Sequence, residues 1–163
     1  MKYTLTLLAL AILYAGCKPE IEGELGEPFD KLKGIAGTWK ISQFSQLDVN
    51  NPVKEERDLS EFYVVDGVEP LTIEFNLAGM TYTAIDGPGK NYFGDAGTWG
   101  LDNVEYPSYL MLYSATDTLQ FDLGSTVREF DTQMKLELSR DCDDGAGNIT
   151  ETVIYKFQFT RAN

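Results

Sequence analysis

Gly37-Thr38-Trp39-Lys40-Ile41 and its echo, Gly97-Thr98-Trp99, decide how this chain is read. A glycine that frees the backbone, followed by a large aromatic, is the pattern of a strand running into a core. Trp39 and Ile41 fall on one face, Lys40 and Ser42 on the other. The first triplet opens a long run of short β-type segments that ends at Arg161, two residues before the C-terminus.

Working outward, the side-chain period of two marks strands at 38–47, 71–75, 80–85, 97–101 and 109–113. A sixth begins at Leu119 and runs, with a bulge at Gly124, towards Phe130. Met134, Leu136 and Leu138 alternate with Lys135, Glu137 and Ser139 in a seventh. In the eighth, Val153, Tyr155, Phe157 and Phe159 alternate with Lys156, Gln158 and Thr160. Between the first two strands, Asp58-Leu59-Ser60-Glu61 resembles a capping box opening one short helix, and Phe62-Tyr63-Val64-Val65 reads as helix or strand. Short strands at this spacing give an all-β fold: an eight-stranded antiparallel up-and-down β-barrel, with a β-sandwich as the alternative.

The first 16 residues stand apart. Lys2 is a small positive leader to an apolar run from Leu5 to Tyr14, and Ala15-Gly16 are the small residues of a cleavage site. Cys17 directly after Ala15-Gly16 resembles the lipobox of bacterial lipoproteins, where the Cys is diacylated on sulfur (with palmitate or a similar chain); the alternative is an ordinary secretory signal with an incidental Cys. Several acyl chains on one residue satisfy the two-signal requirement for stable anchoring. Residues 17–33 then read as a lipidated flexible tether, rich in Glu with Pro19, Pro28, Gly23 and Gly26, and 34–163 as the folded domain. The partner implied here is a membrane, held through the N-terminal lipid. The expected location is the outer membrane, at the cell surface or on its periplasmic face; Lys18 followed by acids resembles a surface-export signal.

Removing 16 of 163 residues leaves 147, enough for one domain with a sizeable core. The full chain has 13 basic and 26 acidic residues, a net charge of −13, and no histidine. That balance disfavours nucleic acid as a partner. The lack of histidine removes His-dependent triads and His-ligated zinc. Cys142 is the one thiol left once Cys17 is acylated, so no internal disulfide forms, and its acidic neighbours oppose a reactive thiolate. Asp141-Cys142-Asp143-Asp144-Gly145 with Asn148 and Glu151 suggests calcium, but its spacing is not that of an EF-hand, and a solvated hairpin tip fits better. Glu69, Glu74, Asp95 and Asp102 show no spacing that picks out a catalytic carboxylate pair. The expectation is a monomeric protein that is not an enzyme, with no cofactor and no metal.

Gly37-Thr38-Trp39, Gly97-Thr98-Trp99 and Leu136-Glu137-Leu138 together resemble the lipocalin-like lipoproteins of Bacteroidetes, over roughly residues 34–162. The resemblance implies a lipocalin-like barrel in which Trp39 plugs the closed end and Arg161 lies across it. In an up-and-down barrel the connections at 48–69, 86–96, 114–118 and 141–150 share the other end, with excess negative charges of five, one, one and three. Loops gathered on a rigid scaffold are where function concentrates. Tyr92 and Phe93, in a Gly/Pro-rich loop, are expected to be exposed. With Trp99 they are the candidate ligand-binding residues. Tyr82, Tyr109, Tyr113, Phe121, Tyr155, Phe157 and Phe159 either line a cavity or fill the barrel. Two functions follow. One is a lipid-anchored, non-catalytic binding module for a small neutral or cationic ligand or glycan. The other is a structural or accessory lipoprotein with a filled core that docks another envelope protein. A hollow interior favours the first and a packed one the second.

Overall fold

Nine strands form in the computed structural model, which describes residues 28–115, 117–143 and 145–162. They are β1 Gly37–Asp48, β2 Glu56–Asp58, β3 Thr72–Asn76, β4 Thr81–Ile85, β5 Ala96–Leu101, β6 Tyr109–Tyr113, β7 Thr118–Leu123, β8 Gln133–Asp143 and β9 Ile149–Arg161. Among the described residues, helix is limited to α1, Lys31–Ile35, and one 3₁₀ turn, Ser60–Phe62. Each strand pairs antiparallel with its neighbour and β1 also pairs with β9, so eight strands close into a barrel, as the alternation requires. The ninth, β2, lies against Ser45–Leu47 of β1, beyond the reach of β3.

Alternation decides the core. Met134, Leu136 and Leu138 of β8 and Phe157 and Phe159 of β9 are buried, while Lys135, Lys156 and Gln158 turn outward. In β1 the inward residues are Trp39, Ile41 and then Phe44, because a bulge between Ile41 and Gln43 shifts the register by one. The two Gly-Thr-Trp triplets owe their glycines to different causes. Gly37 has φ +122°, a conformation side chains resist, and a Cβ there would stand 2.8 Å from an Arg161 guanidinium nitrogen. Gly97 has an ordinary φ, but its Cβ would meet the carbonyl oxygen of Tyr113 at 2.1 Å.

Four expectations are corrected. The sixth strand ends at Leu123, and residues 124–132 form a loop that buries Val127 instead of extending to Phe130. The short helix after Asp58 forms as a single 3₁₀ turn that ends at Phe62, with Asp58 accepting from the Ser60 amide, whereas residues 63–65 are neither helix nor strand and Tyr63 drops into the core. The fold begins before residue 34, since Asp30 caps α1 by accepting from the Leu32 and Lys33 amides at 2.9 and 3.2 Å. Asp141 to Asp143 continue strand β8, leaving a short hairpin tip where a loop from 141 was expected.

Candidate functional site

The barrel has two unlike ends. At the closed end Trp39 is fully buried, and its indole N–H donates to the carbonyl of Ile35 at 2.7 Å. The Arg161 guanidinium lies 4.2 Å over that ring. It also donates to the carbonyls of Gly34 (2.7 Å), Ala36 (2.8 Å) and Asp131 (3.0 Å). One side chain thus ties β9, the end of α1 and the β7–β8 loop around the tryptophan. The structure brings Trp39 and Arg161 together, as the lipocalin-like resemblance implied.

Candidate residues Tyr92, Phe93 and Trp99 do not converge. Trp99 sits edge-on to Phe75 at 5.5 Å, and its N–H donates to the Asn76 carbonyl beside the β3–β4 turn. It is core at the closed end. Phe93 is fully buried, which corrects the expectation of an exposed aromatic pair. Its ring stacks on Phe121 (4.7 Å, 12°) and meets Phe157 and Phe159 edge-on at 4.9 and 5.6 Å. The Tyr82 hydroxyl donates to the Phe93 carbonyl at 2.8 Å, and the Asn91 side chain accepts from the Phe93 amide at 2.8 Å. The Gly/Pro-rich loop therefore folds back into the barrel. Gly87 and Gly89 permit this: a Cβ would strike the Leu71 amide nitrogen at 2.2 Å and the Tyr63 ring at 2.8 Å, respectively.

Tyr63 fills the rest of the mouth. It packs 4.3 Å from Phe44 and donates to the Lys90 carbonyl at 3.1 Å. Tyr92 is half-buried between Tyr155 (4.8 Å) and Phe157 (5.6 Å), with the Lys90 ammonium 4.9 Å from its ring. Burial pushes the Tyr63 and Tyr82 hydroxyls above their ordinary value. Tyr92 moves furthest, through burial first and then the neighbouring Tyr155 and Tyr63. Sequence reasoning missed both plugs. The glycines around Tyr92-Phe93 were the available signal, since they allow close approach as readily as mobility.

The other aromatics divide. Tyr82, Phe121, Phe157 and Phe159 fill the barrel, whereas Tyr109 and Tyr113 lie on its outer face, because Leu110 and Leu112 are the inward residues of β6. An eight-stranded barrel has room for side chains or one small ligand. Here the side chains take it. Clefts of about 220 and 410 Å³ lie among mainly polar side chains of β1, β8 and β9 and of β7 and β8, on the barrel's outer side.

The carboxylates hold structure. Glu69 pairs with Lys40 at 2.9 Å, Asp102 accepts from the Ser108 and Tyr109 amides, and Asp131 forms a forked pair with Arg128 at 3.0 Å. Asp143 accepts from the Gly145 and Gly147 amides and so closes the hairpin tip. Among the described residues no group of three or more His, Cys, Asp or Glu side chains is placed to hold a metal ion. Cys142 is exposed, 3.5 Å from the Thr152 hydroxyl. Cys17 lies outside the described residues.

The class this geometry defines is a closed antiparallel β-barrel whose lumen is occupied by its own core and loop side chains. Comparison with protein-family models gives no match, and comparison with curated proteins gives none either.

Proposed function

We propose that this chain is a non-catalytic, lipid-anchored accessory module of a bacterial envelope that docks another protein, and does not carry a small ligand. The observation that carries this reading is the burial of Phe93 and Tyr63 in the barrel mouth, where a carried ligand would have to sit. What the mouth offers instead is an outer rim. Phe62, Val64, Val65 and Val68 are exposed at 55, 45, 41 and 51 %, among Glu61, Asp66 and Glu69. A local run of exposed apolar side chains rimmed by charge is the usual composition of a protein-docking patch. Cys17 supplies the anchor in this reading, and the resemblance to Bacteroidetes lipoproteins points to the same compartment.

Photo-crosslinking from positions 62 and 65 of the full chain in intact cells tests the docking. The expected result is one discrete adduct, lost when Val64 and Val68 are replaced by Ser. A stoichiometric small molecule retained by the purified protein in native mass spectrometry would overturn it in favour of carriage. Cys17→Ser is expected to abolish incorporation of labelled fatty acid; equal label in the variant would remove the anchor.

A further inference from the structure

One seam of the barrel is left open. β7 meets β8 only at Asp122–Glu137 and Leu123–Leu136. Yet β7 begins at Thr118, and β8 continues to Asp143. Length is not the cause: in that register Gln120 stands opposite Ser139 and Thr118 opposite Asp141, yet the ladder stops at Asp122–Glu137, so the two strands part while both continue. β1 beside β3 differs, since the 5-residue β3 ends opposite Lys40, and there the chain lays its own strand β2 on the surplus edge. No strand among the described residues covers the surplus of β8.

The backbone groups at the opening can be assigned. In an antiparallel pair a residue's N–H and C=O point to one side, and the side alternates along the strand. The Leu123 amide donates to the Ser108 carbonyl, and the Ser114 amide to that of Asp117, so odd-numbered residues of β7 bond to β6. Thr118, Gln120 and Asp122 therefore turn towards β8, and from Glu137, which faces Asp122, the alternation turns Ser139 and Asp141 towards β7. The Thr118 amide is capped by the Asp117 carboxylate at 2.8 Å. A cleft of about 410 Å³ lies at this divergence, between Gln120 and Asp122 on one side and Glu137, Ser139 and Asp141 on the other, with Glu151 behind. Tyr109 of β6 also lines it, on the barrel's outer side; behind this polar lining Phe121 and Leu138 are buried in the core and Leu119 packs against it.

We propose that this seam takes an extended segment of a partner protein as an added strand on β8, with Lys or Arg at alternate positions and apolar residues between them. The free edge supplies main-chain hydrogen bonding. The period of two sends one set of incoming side chains inward over Leu119 and Leu138. It sends the other set outward, among Asp122, Glu137, Asp141 and Glu151. Glu137 already has Lys156 at 3.9 Å and Glu151 accepts from Ser139, but no ion pair to Asp122 or Asp141 forms among the described residues. A second copy of this chain would bring like charge to like, at −13 per chain. This inference goes beyond the docking reading and uses a different edge, so silent cross-links at position 62 leave it standing.

The test is an NMR titration of the full-length protein with an end-blocked octapeptide of alternating Lys and Val. The Gln120, Ser139 and Asp141 amides should shift and exchange more slowly with solvent, and the same peptide with Glu for Lys should not bind. Binding should weaken as salt rises, since the pairs formed are exposed. Ser139→Pro removes a donor that faces the opening rather than β9, and should weaken binding about tenfold. Should that variant fail to fold, Asp122→Asn with Asp141→Asn should weaken binding severalfold and flatten its salt dependence. Unmoved seam amides at millimolar peptide, shifts confined to the mouth tyrosines, or self-association through these same amides would each overturn the proposal.

Discussion

Removing the Arg161 side chain should open the closed end of the barrel. The guanidinium contributes a cation–π contact with Trp39, about 0.5–2 kcal/mol, and three charge-assisted bonds to the Gly34, Ala36 and Asp131 carbonyls. Such bonds are worth about 1.5–3 kcal/mol singly, but they are not additive on one partly buried side chain that water can partly replace. Arg161→Ala should therefore cost about 3–4 kcal/mol, a fall in Tm of roughly 10 °C for a domain of this size. Arg161→Lys keeps the charge without the planar fork and should recover less than half of the loss. Trp39→Ala should cost about 3–5 kcal/mol as a cavity, and combining it with Arg161→Ala should reveal a coupling of about 0.5–2 kcal/mol. Urea unfolding followed by far-ultraviolet circular dichroism compares the four variants with the parent. Additivity within about 0.3–0.5 kcal/mol would show that the stacked pair contributes nothing beyond its separate parts. A loss below about 1 kcal/mol for Arg161→Ala would show that the end stays closed without the staple.

Phe93→Ala should destabilise the barrel by about 3–5 kcal/mol, because the ring is fully buried against Phe121 and Phe157; calorimetric melting within about 1 °C of the parent would show that the loop does not plug the mouth. Stability should be nearly flat between about pH 5 and 9, since no histidine titrates there. Below about pH 4 it should fall: hydrogen bonding from Ser45 lowers Glu56 and the Arg128 contact lowers Asp131, so their contribution, present above the unfolded value, is lost as pH drops through the folded one. Above about pH 10 it should fall again, because burial raises Tyr63, Tyr82 and Tyr92 and the unfolded tyrosines ionise first. Denaturant midpoints across pH check both limbs, and an unchanged midpoint from pH 9 to 11 would contradict the buried tyrosines.

The sequence made the barrel legible because a period of two is a local signal: each strand states its own inward face, as Met134, Leu136 and Leu138 do. The Trp39–Arg161 staple was legible only through the lipocalin-like resemblance, which places a Trp of the first strand and an Arg near the end of the last one against each other. What was hidden depended on contacts distant along the chain. Phe93 and Tyr63 lie in polar connections, and only Phe121, Phe157 and Phe44 on other strands make them core. Tyr109 and Tyr113 were misplaced because leucines one step away fill β6 as well as aromatics would. The bulge after Ile41 was hidden for the same reason, since it is a property of the β1–β9 pair.

The open seam belongs with these pairwise properties. Closing a barrel satisfies the edges of strands only where they pair. Beside β1 the shared length ends at Lys40, where β3 begins, whereas beside β8 the register carries β7 as far as Asp141 but the pairing ends at Glu137, so unpaired edge appears on both flanks for different reasons. On the β3 flank, the connection to β3 is long enough to return β2 onto Ser45–Leu47. On the β7 flank, no strand among the described residues is laid on the unpaired edge of β8. Among the described residues, the fold that fills its own lumen therefore covers one unpaired edge with β2 and leaves the other uncovered, which is the edge the peptide titration tests.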